Sequence, residues 1–112
     1  MFEGAPKVIA RFTKAAAERD YDAIAECFTS DATVSDEQRT HHGRAAIRRW
    51  QEESRARWEY TATAIGDRQA GADEYIVAVH LKGNFPGGEA NVEYRFTVRD
   101  GLISSLRIGV GE

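Results

Sequence analysis

The sequence predicts an α+β fold in which three N-terminal helices fill the concave side of a curved antiparallel sheet. Three observations lead there. Apolar residues recur at three-and-four spacing through the first half of the chain and at a spacing of two after about Trp58. The strand-like runs of the second half are joined by short, turn-forming connections, which makes neighbouring strands antiparallel and gathers the helices on one side. Finally, 112 residues suit one domain over 1–112, large enough to close a core without disulfides.

The first helix is predicted from Ala5, Val8, Ile9, Phe12, Ala15 and Ala16, which form one apolar stripe. Pro6 falls in its first turn, where a missing N–H removes no hydrogen bond. Asp20 reads as the N-cap of a short second helix with Tyr21, Ile24, Ala25 and Phe28 along its stripe, and Asp22 complements the positive end. Ala32 to Ser35 is a short β-prone run ending at Asp36, and Glu37 to His42 read as a polar loop. A third helix is predicted over about Gly43 to Arg57, with Ile47, Trp50, Ser54 and Trp58 on one side.

Four strands follow, Tyr60–Ile65, Tyr75–Lys82, Ala90–Arg99 and Leu102–Ile108. Tyr75, Val77, Val79 and Leu81 give one strand an apolar face. In the next, Val92, Tyr94, Phe96 and Val98 alternate with Glu93, Arg95, Thr97 and Arg99. Asp100-Gly101 is a hairpin signal, because both residues tolerate positive φ. The glycine-rich run from Gly83 to Gly88 is not followed by a helix, so it reads as a hairpin loop and not as a phosphate cradle. Space left between the helices and the sheet forms a pocket.

Composition narrows the partners. Fifteen Lys and Arg against eighteen Asp and Glu leave a formal charge of −3, which gives no electrostatic warrant for nucleic acid. No stretch has the apolar length of a membrane span, and the N-terminus carries no signal-peptide pattern. The single cysteine, Cys27, excludes an intramolecular disulfide and reads as helix packing. These features together predict a cytoplasmic protein with neither nucleic-acid nor membrane partners.

Several segments resemble the nuclear transport factor 2-like superfamily. They are Asp20-Tyr21-Asp22-Ala23-Ile24, Asp31-Ala32-Thr33-Val34-Ser35-Asp36, Gly43-Arg44-Ala45-Ala46-Ile47, Gly83-Asn84-Phe85-Pro86-Gly87, Tyr94-Arg95-Phe96 and Asp100-Gly101-Leu102-Ile103. The similarity covers nearly the whole chain and is nearest to the SnoaL-like and ketosteroid isomerase-like branch. It implies a cone-shaped barrel, a pocket between helices and sheet, and a homodimer formed across the outer sheet face, where His80, Glu93, Arg95, Thr97 and Arg107 are candidates for contact. The superfamily holds isomerases, cyclases, dehydratases, hydrolases and non-catalytic binders, so the likeness is specific for fold and not for reaction.

Asp36 is the foremost candidate for chemistry. The resemblance places it where ketosteroid isomerase carries its aspartate base, which moves a proton beside a carbonyl. A partly apolar pocket disfavours a carboxylate's charged form and so raises its basicity. His42, beside the start of the third helix, is the second acid/base candidate, ahead of its neighbour His41. The isomerase's oxyanion tyrosine corresponds to Phe12, which cannot donate a hydrogen bond. The position of its protonated carboxylic acid falls on Val92 or Glu93. Steroid-type isomerisation is therefore not expected. Phe12, Phe28, Trp50, Trp58, Tyr60, Val79 and Tyr94 are the candidate substrate-binding residues, each of which a packed core would also need. Adjacent histidines do not converge on one ion, so neither a metal nor another cofactor is expected. The sequence thus predicts a pocket protein for a small hydrophobic molecule. Within that reading stand a cofactor-free isomerase, cyclase or lyase using Asp36, a non-catalytic binder, and a dimerising module.

Overall fold

The structure is a computed structural model that describes residues 6–36 and 38–110. Helices α1 (Lys7–Glu18), α2 (Tyr21–Glu26) and α3 (Arg44–Arg57) pack on strands β1 (Phe28–Asp36), β2 (Arg39–His42), β3 (Tyr60–Gln69), β4 (Glu74–Gly83), β5 (Glu89–Arg99) and β6 (Leu102–Val110). The strands form one sheet in the order β2-β1-β6-β5-β4-β3. The α+β architecture predicted from the change of period is the one observed. Ala5 and Glu37, both used in that prediction, lie outside the described residues.

The local signals act as their chemistry requires. Asp20 caps α2, its carboxylate accepting from the backbone N–H of Ala23 at 3.1 Å. Asp100 and Gly101 both have positive φ, at 54° and 77°, and turn β5 into β6. The apolar face of β4 meets that of β5 in register, with Tyr75 opposite Phe96, Val77 opposite Tyr94 and Val79 opposite Val92.

Three features differ from the sequence prediction. Phe28 opens β1 instead of closing α2; it pairs with Ile103 and is fully buried. The expected loop before α3 contains β2, which folds back on β1 through Gln38 at φ 64°. Arg39-Thr40-His41-His42 is a short polar edge strand, so no apolar alternation announces it. Lastly, β1 joins the sheet parallel to β6, so one strand pair departs from the antiparallel pattern.

The core lies between the helices and the inner sheet face. Phe28, Phe96, Ile9, Ile24, Ile47, Ile103 and Leu106 are its largest fully buried members there, each contributing roughly 1.5–3 kcal/mol by burial. Phe12 stands edge-on to both Phe28 and Phe96, with ring centroids 5.7 Å apart in each case.

Two anchors position the elements that matter for function. Gly43, at φ 87°, donates its N–H to Ala32 O at 2.8 Å, and Arg44 Nε donates to Phe28 O at 2.9 Å. Together they fix the start of α3 on β1. At the other end Gly83 lies against the chain entering β3; a Cβ there would sit 2.1 Å from Glu59 O. The neighbouring Asn84 exchanges two hydrogen bonds with the Glu59 backbone, at 2.9 and 3.0 Å. That clamp sets where Tyr60 begins the strand.

Candidate functional site

α3 and the residue just after it carry two adjacent rows of side chains spaced by one turn. Trp50, Ser54 and Trp58 form one row; Ile47, Gln51 and Arg55 form the other. Except for Ile47, which is core, each row borders its own chamber.

The first chamber has a volume of about 640 Å³, within the usual range for a small-molecule site. Asp36, Trp50, Ser54, Trp58, Tyr60, Leu81, Phe85, Val92, Tyr94 and Ile108 are on its wall. The second, about 340 Å³, lies between α1, α3 and the inner faces of β3 to β5, against Phe12, Thr13, Ala16, Gln51, Arg55, Val77, Val79 and Phe96. Tyr60 and Tyr94 border both chambers. A polar recess of about 170 Å³, with Arg39, His41, Glu53 and Arg57, shares Asp36, Trp50, Ser54 and Trp58 with the first chamber.

Asp36 ends β1, and one carboxylate oxygen accepts the indole N–H of Trp50 at 2.9 Å. Trp50 is itself buried, so the donor cannot swing away and the carboxylate is held at the chamber wall. Tyr94 is the other notable group. Part of its side chain is open to the chambers, yet protein surrounds the phenol closely enough to raise its pKa well above the ordinary range. Burial is the largest cause, followed by the neighbouring Tyr60 phenol and the negative charge of Asp36, with Arg55 opposing. The phenol therefore keeps its proton and remains a donor. Tyr60 O–H lies 3.4 Å from Ser54 Oγ, and the Arg55 guanidinium sits 4.1 Å over its ring. A carboxylate and a protonated phenol thus share one largely apolar space. Such a pair can remove a proton next to a carbonyl and stabilise the oxyanion that results.

Comparison with known proteins places this arrangement in a family. Residues 9–106 match the SnoaL-like domain. The chain belongs to that family. A candidate polyketide cyclase from Sinorhizobium meliloti is 34% identical, with 92% of this chain and 94% of that one covered at a TM-score of 0.88. The epoxide hydrolase/cyclase-like enzyme SalBIII, of pyran ring formation in the polyether salinomycin, is 28% identical, with coverage of 94% and 88% and a TM-score of 0.79. A Mycobacterium tuberculosis protein solved with estradiol-17beta-hemisuccinate is 16% identical, with coverage of 90% and 88% and a TM-score of 0.76; that likeness is one of fold. No curated protein matches the chain.

In this SnoaL-like domain the residues singled out from sequence are distributed unevenly. Asp36, Trp50, Trp58, Tyr60 and Tyr94 border the first chamber. Phe12 and Val79 border the second, and Phe28 is fully buried in the core. The structure does not bring His42 to Asp36. In the β1–β2 ladder His42 pairs with Thr33 and is exposed, its Nδ1 3.3 Å from Thr33 Oγ1. Its neighbour His41 pairs with Val34, which shares the Asp36 face because side chains alternate along a strand. His41 lies in the polar recess, its ring centroid 6.1 Å from that of Trp50.

Gln51 and Arg55 were missed by the sequence reading, although their positions one and two turns beyond Ile47 were a signal for a second inward face. Cys27 is buried, and burial raises its thiol pKa, with Arg11 opposing and Glu26 adding; this chemistry is inert packing. Among the described residues no group of three His, Cys, Asp or Glu side chains is arranged to hold a metal ion. No helix among them is long and apolar enough to cross a membrane.

Proposed function

We propose that this SnoaL-like domain is a cofactor-free acid–base catalyst acting on a small, largely apolar carbonyl compound. Asp36 takes the proton from the carbon next to the carbonyl. The Tyr94 phenol donates to the oxygen as negative charge develops there. Where a β,γ double bond makes the intermediate a dienolate, it takes the proton back from Asp36 at the far carbon, giving isomerisation; otherwise the enolate carbon attacks a second carbonyl carbon of the same molecule, whose π electrons move to oxygen and take the Asp36 proton, giving a ring. The observation that carries this reading is the shared chamber, which holds a fixed carboxylate and a phenol whose proton is retained. The cyclase-like relatives support it.

A second reading is a non-catalytic binder of the same class of molecule. The chamber's size and apolar wall favour it equally, as does the steroid-derivative complex of the tuberculosis protein. Under either reading the protein acts as a single domain over residues 1–112 and forms a homodimer through the outer sheet face. There Glu93, Arg95 and Arg107 stand opposite Ala78, Ile76 and Arg95 in the ladders. A cytoplasmic setting accords with the free buried thiol of Cys27.

The deciding experiment follows hydrogen–deuterium exchange of the methyl protons of 4-acetylbiphenyl in D₂O by NMR. Under the catalytic reading the protein accelerates exchange and Asp36→Asn does not. Saturable binding of the ketone without accelerated exchange would leave the binder and remove the enzyme.

A further inference from the structure

The first chamber combines a wall of aromatic rings with a single formal charge. Trp50, Trp58, Tyr60, Phe85 and Tyr94 converge on it from α3 and its C-terminal end, β3, the β4–β5 turn and β5. Among the described residues Asp36 is the one charged side chain on that wall. Arg39 and Arg57 border the polar recess, and Arg55 borders the second chamber. Asp36, Trp58, Tyr60, Phe85 and Tyr94 are all half-buried, so each keeps surface that a molecule in the chamber can touch. The acid lies among the rings. Trp50 donates its indole N–H to it at 2.9 Å, and its negative charge reaches the Tyr94 phenol.

An acid set among ring faces defines the charge that complements it. A ligand carrying a carboxylate would bring like charge to Asp36 in a largely apolar space. A neutral ligand gains the apolar contacts and leaves the charge unmatched. An ammonium on a hydrocarbon body meets both features, because ring faces attract a cation, and more strongly once water is excluded. The fold already uses two of these rings in that way: the Arg55 guanidinium lies 4.1 Å over Tyr60, and that of Arg57 is 5.8 Å from the centre of the Trp58 ring. Those two cations also oppose an incoming one, which holds the expected preference to about tenfold.

We propose that the first chamber binds apolar amines, with the ammonium group at Asp36 among the aromatic rings and the hydrocarbon body against Leu81, Val92 and Ile108. This rests on the first chamber being a ligand site, and it adds a class of ligand that needs no reaction. An amine so placed covers the proposed base and excludes the ketone.

The test uses three molecules built on one adamantane cage: 1-adamantanamine, 1-adamantanol and 1-adamantanecarboxylic acid, which are cation, neutral and anion at neutral pH. Affinities are measured by calorimetry on the full chain and on Asp36→Asn. Wild type should bind the amine roughly tenfold more tightly than the alcohol, and the carboxylate more weakly than either. In Asp36→Asn the advantage of the amine should fall to about threefold or less, the part the rings supply, with the affinity for the alcohol unchanged. In wild type the carboxyl carbon resonance of Asp36 should move with the amine and stay in place with the alcohol. The amine should also displace 4-acetylbiphenyl.

Equal affinity for amine and alcohol in wild type, a preference for the carboxylate, or an unmoved Asp36 resonance would each overturn the amine site, while binding of 4-acetylbiphenyl upholds the chamber. A full advantage surviving in Asp36→Asn would overturn it too; if that variant does not fold, the wild-type resonance decides. Amine binding without accelerated ketone exchange would remove the catalytic reading and leave the amine site standing. Failure of the three adamantanes and of 4-acetylbiphenyl to bind would overturn the chamber and the amine site together.

Discussion

The two chambers, about 640 and 340 Å³, differ also in the state of their polar groups. Around the first, Asp36 is held by the Trp50 indole and the Tyr60 phenol lies beside Ser54. In the second, Gln51 Oε1 and Arg55 Nε face apolar surroundings with nothing to bond. One helix serves both: Trp50 and Ser54 of α3 border the first chamber, and Gln51 and Arg55 of α3 border the second. A satisfied polar group fixes geometry, which chemistry needs; an unsatisfied one costs stability and offers affinity to whatever completes it. Altering the first should therefore damage turnover with little change in stability. Altering the second at Gln51 should improve stability.

Asp36→Asn gives the sharpest separation. Asparagine keeps an oxygen for the Trp50 indole, so the local geometry survives while the base is removed. Exchange of the acetyl protons should fall by about 10³-fold, the usual scale for a positioned general base. Affinity for 4-acetylbiphenyl and the melting temperature should stay near wild-type values. A rate unchanged in this variant removes Asp36 from the reaction.

Tyr94→Phe comes next, with an expected loss of about a hundredfold in the exchange rate and little in affinity, as for one oxyanion donor. The same residue shapes alkaline stability. Its folded-state pKa lies above that of an unfolded tyrosine, about 10, so the folded protein holds this proton more tightly. The contribution is fully present below pH 10 and is lost as pH rises from there toward the folded value. Wild-type stability should fall by about 1 kcal/mol more than that of Tyr94→Phe over the first unit above pH 10, measured by urea unfolding. Parallel alkaline limbs would show that the phenol is not held in its protonated form.

The legible parts of the molecule were those whose signal is local. The α2 cap at Asp20, the Asp100-Gly101 turn and the alternation in β4 and β5 each state their structure within a few residues. Asp36 was legible by its place after a β-prone run, through likeness to related proteins. β2 was not, because an exposed polar edge strand owes its existence to pairing with β1, a tertiary fact. The same missing strand explains the choice of His42 over His41: without the ladder, the alternation that puts His41 on the Asp36 face has no origin to count from. Tyr94 reads from sequence as a wall residue; its proposed role as a donor rests first on burial that only the assembled sheet and helices supply, then on Tyr60 and Asp36 arriving beside it from β3 and β1. Gln51 and Arg55 looked like ordinary members of a charged helix; only burial shows that the fold leaves them incomplete.

The smallest effect expected is the one with the less familiar sign. Gln51→Leu replaces a buried, unpaired amide oxygen with an apolar side chain of similar size and comparable helix propensity. The gain should be about 1 kcal/mol, the lower part of the cost of an unmet buried group, or about 4 °C in a domain of this size. Ser54→Ala, on the neighbouring row, is the matched control: it removes a long contact to Tyr60 and should lower stability by at most about 0.5 kcal/mol. Thermal unfolding of the two variants against wild type, without ligand, then reads the difference between the chambers directly. A loss of stability in Gln51→Leu would mean that the amide oxygen is paired within the folded protein, and the contrast between a completed site and an incomplete one would disappear.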